Sequence, residues 1–202
     1  MDSRGLSTIE TLSKIEMPPI NRPALMHLGI FTDHQEEMRA FYEYVLGLVV
    51  SDVGVAHKFK RRIVFMTGTA EHHHQFVLVA RQPGDPPCSP VFQISFCVPS
   101  LAMLRAARAR AIEAKATNFR PMNHGNSWSL YFNDPEGNTV EVYMETPWYV
   151  GQPFADDLDL DLPDEEIFAT TERRLGALDT SQAAEAWSRH MQELLDARPY
   201  MK

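Results

Sequence analysis

The sequence predicts an α+β fold made of two similar modules, followed by a C-terminal helical tail. The order strand, helix and two or three further strands occurs twice between residues 24 and 148. Two runs with helical spacing, 34–46 and 101–116, each follow a stretch of β-compatible residues. A repeat of this kind, without strict βαβ alternation, indicates two α+β modules and not a nucleotide-binding sheet.

Composition and charge are those of an ordinary globular protein. The chain has 202 residues, which is long enough for one domain with an appendage. Its residues are 44% apolar and 23% charged, as in ordinary globular proteins. A formal net charge of −8 argues against non-specific binding to nucleic acid or to an anionic membrane. No apolar run reaches the roughly 20 residues of a membrane span, and the N-terminus lacks the apolar segment of a signal peptide. With only two cysteines, Cys88 and Cys97, these features predict a protein of the reducing cytoplasm.

The first module is predicted over residues 24–82, after a polar, proline-punctuated arm at 1–23. Its elements are a strand over 25–32, a helix over 34–46, and strands over 48–52, 62–66 and 71–80. His27 and Gly29 share one face of the first strand because side chains alternate along a strand. Gly47 is the expected C-terminal stop of the helix.

The second module is predicted over 90–146, after a proline-rich linker at 82–90, and completes a domain over 24–148. Its elements are a strand over 91–98, a helix over 101–116, and a hairpin with strands over 127–132 and 139–144. The hairpin turn NDPEGN, residues 133–138, is dense in turn-forming residues. Gln93 holds in this module the place that His27 holds in the first.

Residues 149–202 are predicted to form an acidic linker and a helical tail. The linker contains a cluster of acidic residues, Asp156, Asp157, Asp159, Asp161 and Asp164. Helices are predicted over 164–175 and 181–197, the second with Ser181 as its N-cap. The cluster lacks the glycine and the terminal glutamate of a calcium-binding loop. We therefore expect a solvated or subunit-contacting tail in preference to a calcium site.

Glu141 is the unusual residue of the last predicted strand. Alternation places Thr139, Glu141 and Tyr143 on one face, and the flanking valines on the other. Burying a mid-strand carboxylate costs several kcal/mol unless a cation or hydrogen-bond donors meet it. Glu141 therefore lies either on a wet sheet face or in a site that provides such partners.

The run DPEGNTVEVY, residues 134–143, resembles the DP-(D/E)-GN-x-(V/I)-E-(L/V) signature of the vicinal oxygen chelate superfamily. This superfamily includes glyoxalase I, the fosfomycin and bleomycin resistance proteins, and the extradiol ring-cleaving dioxygenases. The resemblance covers residues 25–148, and the preceding NHGNSWSLYF is similar to the extradiol dioxygenase branch. It implies two paired βαβββ modules whose sheets curl around one metal cup.

The resemblance implies that His27, Gln93 and Glu141 are the metal ligands. Two imidazoles and one carboxylate leave positions open on Fe(II) for a substrate and O2. This chain reads QISF at 93–96, with glutamine where relatives have a histidine. Gln93 is therefore a weak ligand, a neighbour of the metal, or the sign of a lost metal site. Fe(II) is the expected metal, with Zn, Ni or Mn as alternatives.

The resemblance also implies that His74, His124 and Tyr131 are catalytic. His74 would move protons, or would replace Gln93 as a metal ligand, unless it belongs to an exposed histidine cluster. His124 and Tyr131 would donate to metal-bound oxygen or to a substrate hydroxyl, unless backbone groups satisfy the tyrosine. Three aromatic residues would be walls of the cup or parts of the core: Phe76, Trp128 and Tyr143.

The sequence thus predicts a metal-dependent oxidoreductase resembling extradiol ring-cleaving dioxygenases, which acts on a catechol-like substrate with O2. One alternative is a redox-neutral lyase or isomerase of the glyoxalase type. Another is a metal-free protein of the same fold that binds a small molecule. A small aromatic substrate is the expected partner, nucleic acid and membranes are not expected, and a homo-oligomer is compatible with the sequence.

Overall fold

The computed structural model describes most of the chain, namely residues 23–56, 58, 60–86 and 91–197. The predicted N-terminal arm up to residue 22 and Cys88 lie outside the described residues. Contacts divide the chain into a unit of residues 26–185, and a second unit of residues 1–25 and 186–202. Everything that bears on the candidate site lies in the first of these units.

The first module consists of one helix and a four-stranded sheet. Its elements are β1 (Leu28–Thr32), α1 (Gln35–Leu46), β2 (Val49–Ala56), β3 (Arg61–Thr67) and β4 (Phe76–Ala80). The strand order is β1-β4-β3-β2, with β1 parallel to β4 and the other neighbours antiparallel. Helix α1 ends at Gly47, as predicted, because this glycine has a φ of 71° and its N–H donates to carbonyls of the last helical turn.

The second module repeats this arrangement. Its elements are β5 (Ile94–Cys97), α2 (Leu101–Glu113), β6 (Thr117–Asn123), β7 (Ser127–Asn133) and β8 (Thr139–Glu145). The strand order is β6-β7-β8-β5, with β5 parallel to β8. The short strand β10 (Asp156–Asp157) extends this sheet at β6. The predicted α+β fold of two βαβββ modules with a C-terminal helix is therefore confirmed.

The core lies between the sheets and helices α1 and α2. Tyr42 of α1 packs on Phe76 with ring centroids 4.5 Å apart, and its hydroxyl donates to Asp134 at 2.9 Å. Trp128 packs against Phe168 with centroids 4.6 Å apart. Phe76 is 2% exposed and Trp128 is 0% exposed. Of the two interpretations open from the sequence, Phe76 and Trp128 are therefore parts of the core. Tyr143 is only partly buried and, by alternation, lies on the same face of β8 as Glu141.

The tail contains β9 (Trp148–Tyr149), α3 (Asp164–Leu175), β11 (Gln182–Ala183) and α4 (Ala184–Asp196). Helix α3 has the predicted bounds. The second tail helix begins three residues later than predicted, because Gln182 and Ala183 pair with β9 as a short strand. Ser181 is therefore not its N-cap. No helix in the described part of the chain is long and apolar enough to cross a membrane.

Three aspartates of the acidic linker form ion pairs with arginines. The pairs are Arg105–Asp164 at 2.5 Å, Arg108–Asp161 at 2.6 Å and Arg174–Asp156 at 2.6 Å. Two of the arginines belong to α2, so the arginine-rich helix and the acidic linker neutralise each other. Carboxylates that are bound to guanidinium groups are poor candidates for a calcium site, which agrees with the preference drawn from the sequence.

Candidate active site

The candidate site lies on the face of the second sheet that points away from α2. Val140 and Val142 are 0% exposed and belong to the core, so alternation puts Glu141 on the opposite face of β8. In the sheet register, Glu141 lies between Ser95 of β5 and Tyr131 of β7. Together with Gln93 and His124, these side chains form a connected polar group. We call these five residues, Gln93, Ser95, His124, Tyr131 and Glu141, the polar cluster.

Glu141 is the centre of the polar cluster. Its side chain is buried, with 7% of the residue exposed, which rules out the interpretation of a carboxylate on a wet sheet face. One oxygen, Oε2, accepts hydrogen bonds from Ser95 Oγ at 2.6 Å and from Gln93 Nε2 at 2.9 Å. No lysine, arginine or histidine among the described residues forms an ion pair with it. A buried carboxylate held only by neutral donors is the kind of group that a bound cation stabilises.

Tyr131 and His124 form a hydrogen-bonded chain that begins at Glu141. Burial raises the pKa of the Tyr131 hydroxyl, as do its hydrogen bond to Glu141 and the negative charge there. Ser129 and the Arg120 guanidinium, which lies 5.6 Å from the ring centroid, act in the opposite sense. The hydroxyl oxygen lies 3.1 Å from His124 Nε2. The alternative of a tyrosine satisfied by backbone groups is therefore not what the structure contains.

The hydrogen bonds of His124 determine where its proton lies. Nδ1 is 2.8 Å from the carbonyl oxygen of Phe154, which can only accept, so Nδ1 must carry a proton. Neutral His124 therefore has its lone pair on Nε2, facing Tyr131. The single Tyr131 proton then has two acceptors, Nε2 and the Glu141 carboxylate. His124, Tyr131 and Glu141 therefore lie in a row along which a proton can be shared.

His74 lies in the turn before β4 and contacts His27. Their ring centroids are 4.4 Å apart, and His73 Nδ1 lies 2.9 Å from His74 Nδ1. Burial lowers the pKa of His74, and the charges of His27 and His73 lower it further. His74 is therefore neutral near pH 7 and able to accept a proton.

The prediction that a strand spans 71–80 is wrong at its start. β4 begins at Phe76, and the three histidines His72, His73 and His74 belong to the preceding turn. In this turn, Gln75 Oε1 accepts the Gly68 N–H at 3.1 Å. His74 packs on Phe65, with ring centroids 5.0 Å apart. In the sheet register Phe65 lies opposite Val77, so its side chain is on the face away from Phe76, which points into the core. Because His74 packs on Phe65, His74 and Phe76 do not share a face.

The predicted metal ligands fit a divalent cation only in part. Glu141 fits because its buried charge has no cationic partner in the part of the chain that the structure describes. Gln93 directs its amide nitrogen to Glu141, and a half-turn of the amide would be needed to present its oxygen. His27 directly precedes β1, on the face away from the buried Ile30. One imidazole, one amide oxygen and one carboxylate suit a hard divalent ion, and they hold Fe(II) more weakly than a set with two imidazoles.

His74 does not complete this set in the structure. Within residues 23–56, 58, 60–86 and 91–197, no three His, Cys, Asp or Glu side chains are grouped so that they could hold a metal ion. A ligand ring that includes His27, His74 and Glu141 would be such a group. The residue that differs from the family pattern, Gln93, therefore remains the second member of the proposed set.

Several residues of the site were not predicted from the sequence. Ser95 shares a strand face with Gln93 by its spacing of two, and this spacing could have identified it. The carbonyl of Phe154 and the side chains of Gln152 and Thr171 contact the His124 turn from the tail. These contacts are long-range and leave no local signal in the sequence.

Comparisons with known proteins identify the family of this chain. A family model described as the Glyoxalase/Bleomycin resistance protein/Dioxygenase superfamily matches residues 24–142. Biphenyl-2,3-diol 1,2-dioxygenase 2 of Rhodococcus globerulus is 28% identical over 151 residues, which is 65% of this chain and 74% of that protein. Biphenyl-2,3-diol 1,2-dioxygenase 3 of the same organism is 29% identical over 131 residues, 61% of this chain and 64% of that protein.

A solved structure of another protein has a similar fold. The glyoxylase/bleomycin resistance protein/dioxygenase domain from Frankia sp. EAN1pec superimposes with a TM-score of 0.53 at 17% sequence identity. The match covers 62% of this chain and 100% of that domain. At such low identity, the similarity is evidence for the fold alone.

Proposed function

Because this chain belongs to the glyoxalase/bleomycin resistance protein/dioxygenase superfamily, we propose that it is a metal-dependent oxidoreductase that opens a catechol-like aromatic ring with O2. The observation that carries this proposal is the buried Glu141, which has no cationic partner within the described ranges and is connected to Tyr131 and His124. The carboxylate provides a place for a cation, and the tyrosine–histidine chain provides a place for a proton. Ring cleavage of a catechol requires both.

The metal would be held by Glu141 and His27, with the amide oxygen of Gln93 as the third protein donor. When bound, the metal would supply Lewis acidity and, as Fe(II), the electron transfer that O2 activation needs. The Ser95 hydroxyl donates to one oxygen of Glu141 and thereby orients the carboxylate, as groups around metal ligands do.

The chain's own residues would move the protons. His74, kept neutral by its surroundings, would accept a proton from a catechol hydroxyl. Tyr131, whose raised pKa keeps it protonated, would donate a hydrogen bond to a substrate oxygen. His124 Nε2 would then receive or return one proton through the Tyr131 hydroxyl, because its Nδ1 is engaged by the Phe154 carbonyl.

The names of the curated relatives support a substrate with two adjacent hydroxyls on an aromatic ring. Both proteins of Rhodococcus globerulus are named as dioxygenases of biphenyl-2,3-diol, and each matches more than 60% of this chain. Their identities of 28% and 29% leave room for a different substrate, so the ring substituents stay open. We propose the catechol unit itself as the group that this chain recognises.

Gln93 favours a second candidate function. A glutamine at the position of a histidine ligand weakens Fe(II) binding, while its amide oxygen suits a hard divalent ion. A redox-neutral enzyme of the glyoxalase type would need such an ion only to polarise a carbonyl or to stabilise an enolate. This function would use Tyr131 and His124 in the same way, as donor and proton carrier.

Oxygen uptake separates the two functions. Metal-free protein is loaded anaerobically with Fe(II) and mixed with 2,3-dihydroxybiphenyl, and O2 consumption is recorded together with the yellow ring-opened product. Ring cleavage predicts one O2 consumed per substrate, and loss of both signals in Glu141→Gln. Metal-dependent substrate binding without O2 uptake would favour the redox-neutral function. A protein that binds no divalent metal would contradict both proposals and leave a metal-free binding protein.

A further inference from the structure

The tail after β8 packs on the turn that carries His124. Gly125 of this turn has a φ of 74°. A Cβ at this position would clash with Val150 Cγ1 and would lie 3.1 Å from Leu175 Cδ2, and both of these residues belong to the tail. Only glycine combines this backbone conformation with such a close approach. The turn and the tail therefore form one packed structure.

Thr171 of α3 anchors both sides of the same turn. Its Oγ1 accepts hydrogen bonds from Asn123 Nδ2 at 2.9 Å and from Trp128 Nε1 at 3.0 Å. All three residues are at most 5% exposed. Asn123 Oδ1 in turn accepts the Gly125 N–H at 2.9 Å. Buried donors without an acceptor are costly, so this hydroxyl fixes the position of the turn relative to α3.

Gln152 holds the turn from the solvent side. Its Nε2 donates to the His124 carbonyl at 2.8 Å and to Asn126 Oδ1 at 3.2 Å. Its Oε1 accepts the Phe154 N–H at 3.0 Å. One exposed side chain thus ties the backbone of His124 to the backbone of Phe154. This connection keeps the Phe154 carbonyl 2.8 Å from His124 Nδ1.

We propose that tail residues 147–175 are part of the active site, with Gln152 as a positioning residue that keeps His124 in its Nδ1–H tautomer. The Phe154 carbonyl has no proton to give, so the bond exists only when Nδ1 is protonated. Without this bond, a neutral imidazole is free to carry its proton on Nε2. Nε2 could then no longer accept a proton from Tyr131, and the chain from Glu141 would be interrupted.

The test uses three single variants of the full chain. Gln152→Ala removes the connection at an exposed position, where the cost to folding is small. Gln152→Glu keeps the acceptor for the Phe154 N–H and loses the three hydrogen bonds that Nε2 donates, to the His124 and Val150 carbonyls and to Asn126 Oδ1. Gln182→Ala removes another exposed glutamine of the tail, outside the His124 turn, and serves as the control.

The readout is the tautomer of His124, measured by long-range proton–nitrogen NMR on metal-free protein with labelled histidine. Wild type and Gln182→Ala should show neutral His124 protonated on Nδ1. Gln152→Ala should shift the tautomer ratio about fivefold toward Nε2–H, the factor that one hydrogen bond is worth. Gln152→Glu should fall between the two. A wild-type His124 protonated on Nε2, or a Gln152→Ala spectrum equal to that of wild type, would overturn the proposal.

Turnover is the second readout of the Gln152 variants, and only this readout rests on the proposed function. Gln152→Ala should lower kcat for ring cleavage and leave KM unchanged, because the proton chain and not substrate binding is affected. If the tautomer shifts as expected while no variant and no wild-type protein cleaves a catechol, the proposed function fails and the role of the tail stands. An unchanged tautomer with a lower kcat would instead overturn the role of the tail.

Discussion

Replacing Glu141 by glutamine tests the role of the buried carboxylate most sharply. The substitution keeps the volume of the side chain and an oxygen that can accept from Ser95 and Gln93. It removes a buried charge that has no cationic partner among the described residues. We therefore expect the free energy of unfolding in metal-free buffer to change by no more than about 1 kcal/mol, since removing an uncompensated buried charge offsets weaker hydrogen bonds.

The effect on metal binding should be far larger. Loss of a group that merely orients a ligand already costs about 10–100-fold in metal affinity, so loss of the charged ligand itself should exceed 100-fold. At a free metal concentration of 100 times the wild-type Kd, binding stabilises the wild-type protein by about 2.7 kcal/mol. Under the same conditions, Glu141→Gln should gain about 0.4 kcal/mol or less.

The assay is thermal and urea unfolding with and without Mn(II), combined with calorimetric titration of the metal. Glu145→Gln is the matched control, because Glu145 lies on β8, on the same face by alternation, and is exposed. The control should behave like wild type in every respect. A Glu141→Gln variant that loses several kcal/mol in metal-free buffer and still binds metal normally would show that Glu141 is structural, and the reasoning above would be refuted.

Three further predictions concern single residues. Gln93→His should raise Fe(II) affinity and ring cleavage by adding an imidazole, and an unchanged metal content would mean that Gln93 does not face the metal. Tyr131→Phe should reduce turnover about 10²–10⁴-fold without loss of metal binding, as expected for a group in proton transfer, and a wild-type rate would remove Tyr131 from the mechanism. Burial raises the pKa of Asp134 in the folded state, so its contribution to stability is present below its unfolded pKa of about 3.9 and is lost as the pH rises through the folded value. Asp134→Asn should therefore flatten the decline of stability above about pH 4 in urea unfolding, and an unaltered pH profile would contradict this assignment.

The fold was predictable because local signals and the repeat agree. Gly47 ends α1 and the NDPEGN turn connects β7 and β8, and both depend only on neighbouring residues. The start of β4 was not predictable in this way, because the histidines before it look β-compatible in sequence. In the structure, pairing between β3 and β4 ends at Met66 and Phe76, and the polar residues before Phe76 remain in the turn.

Only the site residues that lie on strands could be predicted from the sequence. Glu141 and Tyr131 follow from the alternation of strand residues together with the resemblance to a known family. The ordering of the His124 turn depends on Phe154, Gln152 and Thr171, which lie 28 to 48 residues away in sequence from the turn residues they contact. Such contacts depend on how the tail folds back on the sheet. Similarly, the effect of glutamine at position 93 depends on its hydrogen bond to Glu141, which no spacing rule reveals.

The central claim is that Glu141 and His27 hold one divalent cation next to Tyr131 and His124. A crystal structure of the protein with Mn(II), with the metal located by its anomalous scattering, tests this claim directly. The account predicts one strong peak bonded to the Glu141 carboxylate and the His27 imidazole, with the Gln93 amide turned so that its oxygen faces the metal. A peak bonded to the His72–His74 turn instead, or no peak at either residue, would contradict it.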